Sequence, residues 1–118
     1  MSRRLPNYLR TYRKRAGLSQ DEVAFLLGCQ NGTKVSRYEN FARRPSFETA
    51  LAYQVMFGAP PGELFAGIYQ KVEQTIKKRT QVLAQKLGRA TPSPTLSRKL
   101  EALKAIVSAP QGAPAKTS

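Results

Sequence analysis

Residues Leu9–Phe65 read LRTYRKRAGLSQDEVAFLLGCQNGTKVSRYENFARRPSFETALAYQVMFGAPPGELF, and the punctuation of this stretch decides the fold. Gly17, Gly28 and Gly58 each stop a short segment of helical apolar periodicity. Ser19 with Glu22 makes an S-x-x-E capping box that opens a second helix, running to about Leu27. Its predicted buried side is Val23, Ala24, Leu26 and Leu27. Asn31-Gly32 is a turn dipeptide. A third helix, predicted from Thr33 to Glu39, has Val35 and Tyr38 three apart and polar side chains elsewhere. Ser46 can cap a fourth helix with Glu48 in its first turn, where a negative charge suits the dipole. Leu51, Ala52, Val55 and Met56 give that helix its predicted apolar face. Upstream, Pro6 suits the first turn of a helix whose inner face carries Leu5, Leu9, Tyr12 and Ala16. The second and third helices are too short to be stable alone, so each must lean on a shared core.

Outward from this stretch, Ala59-Pro60-Pro61-Gly62 is a rigid turn leading into Glu63-Leu64-Phe65. Phe65, Tyr69, Val72, Ile76, Leu83 and Leu87 then recur at three-to-four spacing up to Gly88, interrupted only by Arg79, which predicts one long helix. Thr91-Pro92-Ser93-Pro94 breaks it, and Leu96, Leu100, Leu103 and Val107 mark a last short helix. Residues 108–118, rich in Ala, Pro and Gly, are predicted to be disordered. The expected organisation is all-α: a domain over residues 1–66, a basic helical extension over 67–107 and a tail over 108–118. A domain of about 60 residues sits near the lower limit for a self-sufficient core.

The net charge is +13, of which residues 67–118 carry +8. That balance points to a polyanion, with nucleic acid first and an anionic membrane surface second. Cys29 is the one cysteine and histidine is absent, which leaves no disulfide framework or Cys/His zinc site within the chain. Cys29 reads as buried filler or, less simply, as a reactive thiol. No catalytic grouping is legible, because Asp21, Glu22, Glu39, Glu48 and Glu63 are accounted for by caps and ion pairs. No metal, cofactor or enzyme activity is expected. The basic N-terminus has no apolar run behind it, and no stretch reaches the ~20 apolar residues of a membrane span. A soluble, cytoplasmic protein is the expectation.

Leu18-Ser19-Gln20, then Val35-Ser36-Arg37-Tyr38-Glu39-Asn40, then Arg43-Arg44-Pro45-Ser46 stand in an order that closely resembles the helix-turn-helix domain of the lambda-repressor/Cro (Xre-type) family of DNA-binding regulators. The resemblance covers roughly half the chain. It implies a five-helix, lambda-repressor-like domain whose third helix enters the major groove of double-stranded DNA. It also implies that Gln20 meets phosphate beside the start of helix two, where a solvated polar residue is the plainer reading. Asn40, Arg43 and Arg44 fall in the loop that flanks the DNA backbone in the family. Arg13 and Glu39 occupy the positions of an internal ion pair joining helix one to helix three.

The residues of helix three support the same direction. Its exposed face should carry Thr33, Lys34, Ser36 and Arg37, in a groove about 12 Å wide that distinguishes every base pair. The planar fork of Arg37 suits guanine O6 and N7 or, equally, a phosphate; Ser36 suits DNA or its own helix backbone. The turn between Gly28 and Val35 is one residue longer than the usual family turn. Asn31 is therefore open to three roles: a helix cap, a phosphate contact or an adenine contact. Tyr8, Tyr12, Phe25, Tyr38, Phe41 and Phe47 are expected in the core or at its rim.

The functional expectation is a sequence-specific transcriptional regulator acting as a homodimer, paired through Tyr69, Val72, Ile76, Leu83 and Leu87. An antitoxin-type repressor whose C-terminal helices bind a protein partner is the alternative. A basic helix lying on a membrane surface is the reading from another class.

Overall fold

The computed structural model describes residues 7–110; Leu5, Pro6 and residues 111–118 of the tail lie outside the described residues. Among the described residues there are seven helices and no strand: α1 (Leu9–Arg15), α2 (Gln20–Leu27), α3 (Thr33–Glu39), α4 (Phe47–Phe57), α5 (Pro61–Leu64), α6 (Ala66–Leu87) and α7 (Pro94–Ser108). The fold is all-α, as its periodicity predicts. Two compact units divide the chain, one ending at Tyr69 and the other beginning at Gln70.

Local signals set the helix ends of the first unit. The Ser19 hydroxyl accepts from the Glu22 amide at 3.0 Å while the Glu22 carboxylate accepts from the Ser19 amide at 2.8 Å, so two orphan donors of α2 are satisfied reciprocally. Ser46 caps α4 by accepting from the Thr49 amide at 3.2 Å. Asn7 does two things at the start of α1. Its side-chain oxygen accepts from the Leu9 amide at 3.1 Å, and its amide donates to the Tyr38 carbonyl at 3.1 Å. The helices α1, α2 and α3 close with one pattern, in which the two amides after the helix turn back onto its last carbonyls. The pattern needs a left-handed residue. Gly17 and Gly28 supply it without strain, but after α3 it falls on Phe41, at φ 59.

The core is Leu9, Val23, Ala24, Val35, Tyr38, Tyr53, Ala59, Leu64 and Phe65, with Tyr12, Leu18, Leu27, Cys29, Ala50, Met56 and Phe57 packed against it. Tyr53 is its centre, fully buried, with edge-on contacts to Tyr38 at 6.4 Å and Phe65 at 6.2 Å between ring centroids. Such pairs add to the stabilisation from area burial alone.

Predicted helix faces differ from the structure at four places: Ala16, predicted on the inner face of α1, is its exposed C-cap, Val107 of α7 is exposed, and α4 and α2 turn other residues inward. On α4 the inner side is Tyr53 with Ala50, Met56 and Phe57, whereas Leu51 and Val55 are exposed. This helix is apolar almost all round, so periodicity cannot choose its inner face, and the large Tyr53 ring takes the core. On α2, Val23 and Ala24 are buried and Leu27 half-buried, but Leu26 and Phe25 face solvent. Phe47 and Tyr8 are exposed as well, while Tyr12 and Phe41 are half-buried.

The long helix does not continue from Glu63-Leu64-Phe65. Pro61–Leu64 is a separate short helix, and Phe65 breaks it at φ -116 and ψ 50 before α6 starts at Ala66. Phe65 leaves the helical path while its ring packs edge-on against Tyr53. Gly62 lets Tyr69 approach: a Cβ there would stand 3.1 Å from the Tyr69 ring.

In the second unit, Ser93 caps α7 by accepting from the Leu96 amide at 3.0 Å. Lys77 donates to the Ala109 carbonyl at 2.9 Å, so α7 returns antiparallel along α6. Ser108 is the last residue of α7. Leu96, Leu100 and Leu103 are half-buried, and so are Glu73, Lys77, Ala84 and Leu87 of α6, with Thr80 buried among them.

The Tyr53 hydroxyl is buried with no hydrogen-bond partner among the described residues. An unpaired buried hydroxyl is costly, so Tyr53→Phe is expected to leave Tm unchanged or raise it by up to about 5 °C. Burial, and then the nearby Glu39 carboxylate, push the Tyr53 phenol well above its ordinary pKa. Above pH ~10 the unfolded chain therefore gives up a proton that the folded chain keeps, and stability falls as pH rises. The Phe variant should show a shallower loss between pH 9 and 11 in thermal melts (both approximate limits, about one unit either side of the free phenol).

Candidate nucleic-acid interface

Helix α3 is held by two side chains and presents the rest. Val35 and Tyr38 are buried, three residues apart on its inner side. Thr33, Arg37 and Asn40 share the opposite side and are exposed, with Lys34 exposed on one flank and Ser36 half-buried on the other. The seven residues of α3 carry two cations on the outer side, Lys34 and Arg37. Arg43 and Arg44 are exposed in the loop that follows.

The entry to α3 is built across the turn. Asp21 accepts from the Gly32 amide at 2.8 Å, tying the start of α3 to the start of α2. Gly32 is buried in that contact: a Cβ there would lie 2.9 Å from both Asp21 Oδ1 and Gln20 Cβ. Asn31 turns inward on its own backbone, its side-chain oxygen accepting from the Thr33 amide at 2.9 Å. Gly32 is the N-cap of α3 and Asn31 stands one residue before it, so its bond to the Thr33 amide is a local turn contact. Gln20, Asp21, Asn31, Gly32, Thr33, Ser36 and Arg37 line one open concavity between the first turns of α2 and α3.

The far end of α3 is clamped by charge. Arg13 donates from Nε to Glu39 Oε2 at 2.6 Å and from Nη2 to Glu39 Oε1 at 3.1 Å, a two-bond fork. Its remaining terminal nitrogen donates to the Leu18 carbonyl at 2.9 Å. Gln20 donates from Nε2 to Glu39 Oε1 at 3.2 Å. Arg13 is 8% exposed, and its bond to the Glu39 carboxylate holds the guanidinium above its ordinary pKa, against the opposing effect of burial. The Gln20 side-chain amide is thus engaged inside the domain, by a residue that also lines the concavity.

A family profile described as a helix-turn-helix domain matches residues 4–66, just over half of the chain. The chain belongs to that family. It is a family of DNA-binding domains, and the assignment supports sequence-specific DNA binding. No curated protein and no solved structure matches the chain. Among the described residues, no helix is long and apolar enough to cross a membrane.

Within the helix-turn-helix domain, the structure gathers Gln20, Asn31, Thr33, Ser36 and Arg37 around one concavity. Lys34 stands beside them on α3, and Asn40, Arg43 and Arg44 lie past its C-terminal end. Asn40 donates to the Ser36 hydroxyl at 3.4 Å, so these two polar groups are mutually engaged. Two residues shape the site without a sequence signal of their own. Asp21 reads as an ordinary first-turn acid, yet it also fixes the turn. Gly32 reads as half of a turn dipeptide, yet the structure needs it for close approach.

Glu39→Ala would leave the Arg13 guanidinium with one neutral acceptor in a nearly closed setting. Removing one partner of such a pair costs roughly 3 kcal/mol, which corresponds to a Tm lower by more than about 10 °C. DNA binding should fall in step with the folded fraction, as measured by melting and titration on the same samples. A variant that melts like the wild type but no longer binds DNA would assign Glu39 to DNA rather than to the fold.

Proposed function

We propose that this protein is an Xre-type, sequence-specific transcriptional regulator that reads the major groove with α3. The observation that carries the reading is the division of α3 into a buried side, Val35 and Tyr38, and an exposed side bearing Thr33, Lys34 and Arg37. A helix anchored in this way offers its polar side to a groove wide enough to admit it. In this reading Arg37 contacts a base edge, and Thr33, Lys34 and Ser36 contact bases or phosphates around it. Gln20 and Asn31 face the backbone from the concavity, and Asn40, Arg43 and Arg44 hold phosphate beyond the C-terminal end of α3. Such a protein works on DNA in the cytoplasm and needs no cofactor.

Base reading and phosphate anchoring separate experimentally. Arg37→Ala is expected to weaken specific binding roughly ten- to hundred-fold and to relax preference at one base pair. Arg44→Ala should weaken specific and non-specific DNA alike and reduce the salt slope by about one unit. Titrations of both variants on selected and random DNA decide between the roles; equal losses on every sequence for Arg37→Ala would remove it from base reading.

We further propose that two copies act together, since a two-fold pair places two α3 helices on half-sites about 34–36 Å apart. The outer row of α4, Phe47, Leu51 and Val55, is 75%, 38% and 84% exposed at i, i+4 and i+8. Only Glu48 adds a charge to this helix, so a second copy can share the row without bringing cations together. The α6 stripe is less suited to that role, because Tyr69 and Leu87 are half-buried and cations border the rest. Val55→Asp should shift the sedimenting species to monomer at micromolar concentration and weaken binding to paired half-sites more than to a single one. A wild-type chain that sediments as a monomer with and without paired sites would end the dimer reading.

A further inference from the structure

Helix α6 in the second unit has two unlike sides. The side carrying Glu73, Lys77, Thr80, Ala84 and Leu87 is the covered one, along which α7 returns. One step round the helix, Val72, Ile76 and Leu83 follow at i, i+4 and i+11, and are 52%, 44% and 45% exposed. One step further stand Arg79 and Lys86, seven apart and exposed, with Lys71 and Lys78 beyond them. An aliphatic row therefore runs beside a row of cations whose side chains have no carboxylate partner in any ion pair of the described residues. Among the described residues, Lys77 pairs with Glu73 at 3.8 Å on the covered side.

We propose that this surface docks an acidic amphipathic helix from a partner protein. Three occupants compete for it on physical grounds. A second copy would cover Val72, Ile76 and Leu83 but bring Arg79 and Lys86 of both chains face to face, in an extension that already carries +8. DNA would satisfy the cations and leave the aliphatic row in water. An acidic helix with apolar residues at i, i+3, i+4 and i+7 meets both rows at once. Its leucines lie on Val72, Ile76 and Leu83, and its carboxylates reach Arg79 and Lys86. An anionic bilayer also offers both chemistries. However, interfacial helices carry a broad apolar face, commonly with Trp or Phe, and this one is a narrow aliphatic strip.

The test uses the full chain and a labelled synthetic peptide of Leu and Glu with leucines at i, i+3, i+4 and i+7. A second peptide of the same composition has its leucines scattered round the helix. Fluorescence anisotropy should show the patterned peptide binding at least about ten-fold more tightly than the scattered one, since only the former buries apolar area. Ile76→Lys with Leu83→Lys keeps the surface basic and should cost about ten-fold, while Arg79→Gln with Lys86→Gln should weaken binding and flatten its salt dependence. Circular dichroism checks that each variant keeps its helix, and Ile76→Gln alone serves if the double lysine variant does not. Four results overturn the proposal. These are equal affinity for the two peptides, no loss in the lysine variant, a wild-type dimer that the lysine variant dissociates, and phosphatidylserine vesicles that bind the chain and displace the peptide. DNA binding by α3 is read in parallel and should be unchanged in these variants, so failure here is distinct from failure of the regulator reading.

Discussion

The carboxylate of Glu39 accepts from Arg13 on α1 and from Gln20 on α2 while belonging to the last turn of α3. Each of these helices has only seven or eight residues, too few for a stable turn structure in water. Apolar contact through Val35 and Tyr38 holds α3 against the core, but non-directional burial does not by itself fix how far the helix rotates or slides. A forked arginine–carboxylate contact does, because it is satisfied in one geometry. The outer face of α3 therefore owes its orientation to a pair of charges hidden behind it. Asp21 plays the matching part at the other end, where its bond to the Gly32 amide fixes the entry to α3.

Much of the fold was legible because its helix ends are set locally. Ser19 and Glu22, Ser46, Gly17, Gly28 and Gly58 lie within a few residues of the groups they satisfy, and short-range chemistry is what a sequence displays directly. Faces were legible only where polarity was uneven. Helix α4 is apolar on nearly every side, so Leu51 and Val55 look as buriable as Ala50 and Met56, and the size of the Tyr53 ring decides the outcome. The break at Phe65 was not legible, since apolar periodicity runs straight through it and its ring contact lies twelve residues earlier. On the candidate site, the outward placement of Thr33, Lys34 and Arg37 follows from Val35 and Tyr38 being the apolar residues of α3. The Asp21–Gly32 bond and the left-handed Phe41 carry no such sign, because one depends on a gap too narrow for a Cβ and the other on a conformation usually left to glycine.

The two exposed apolar rows show how charge sorts surfaces of similar hydrophobicity. On α4 the row is nearly neutral, while on α6 it lies beside cations in the most basic part of the chain. Burial of apolar area is favourable on either row and does not discriminate among occupants. Neighbouring charges do, through the cost of bringing like signs together. What distinguishes the two rows is therefore the residues bordering each one rather than the aliphatic residues themselves.

The brevity of α3 has a thermodynamic consequence. A seven-residue helix does not exist apart from the domain that holds it, so the surface it presents appears and vanishes with the cooperative fold. Any ligand of that surface is a ligand of the folded state alone, and it stabilises the domain by mass action as its concentration rises above its dissociation constant. The small core and the outer face of α3 thus form one equilibrium. Temperature, core substitutions and ligand concentration all act on it as interchangeable variables.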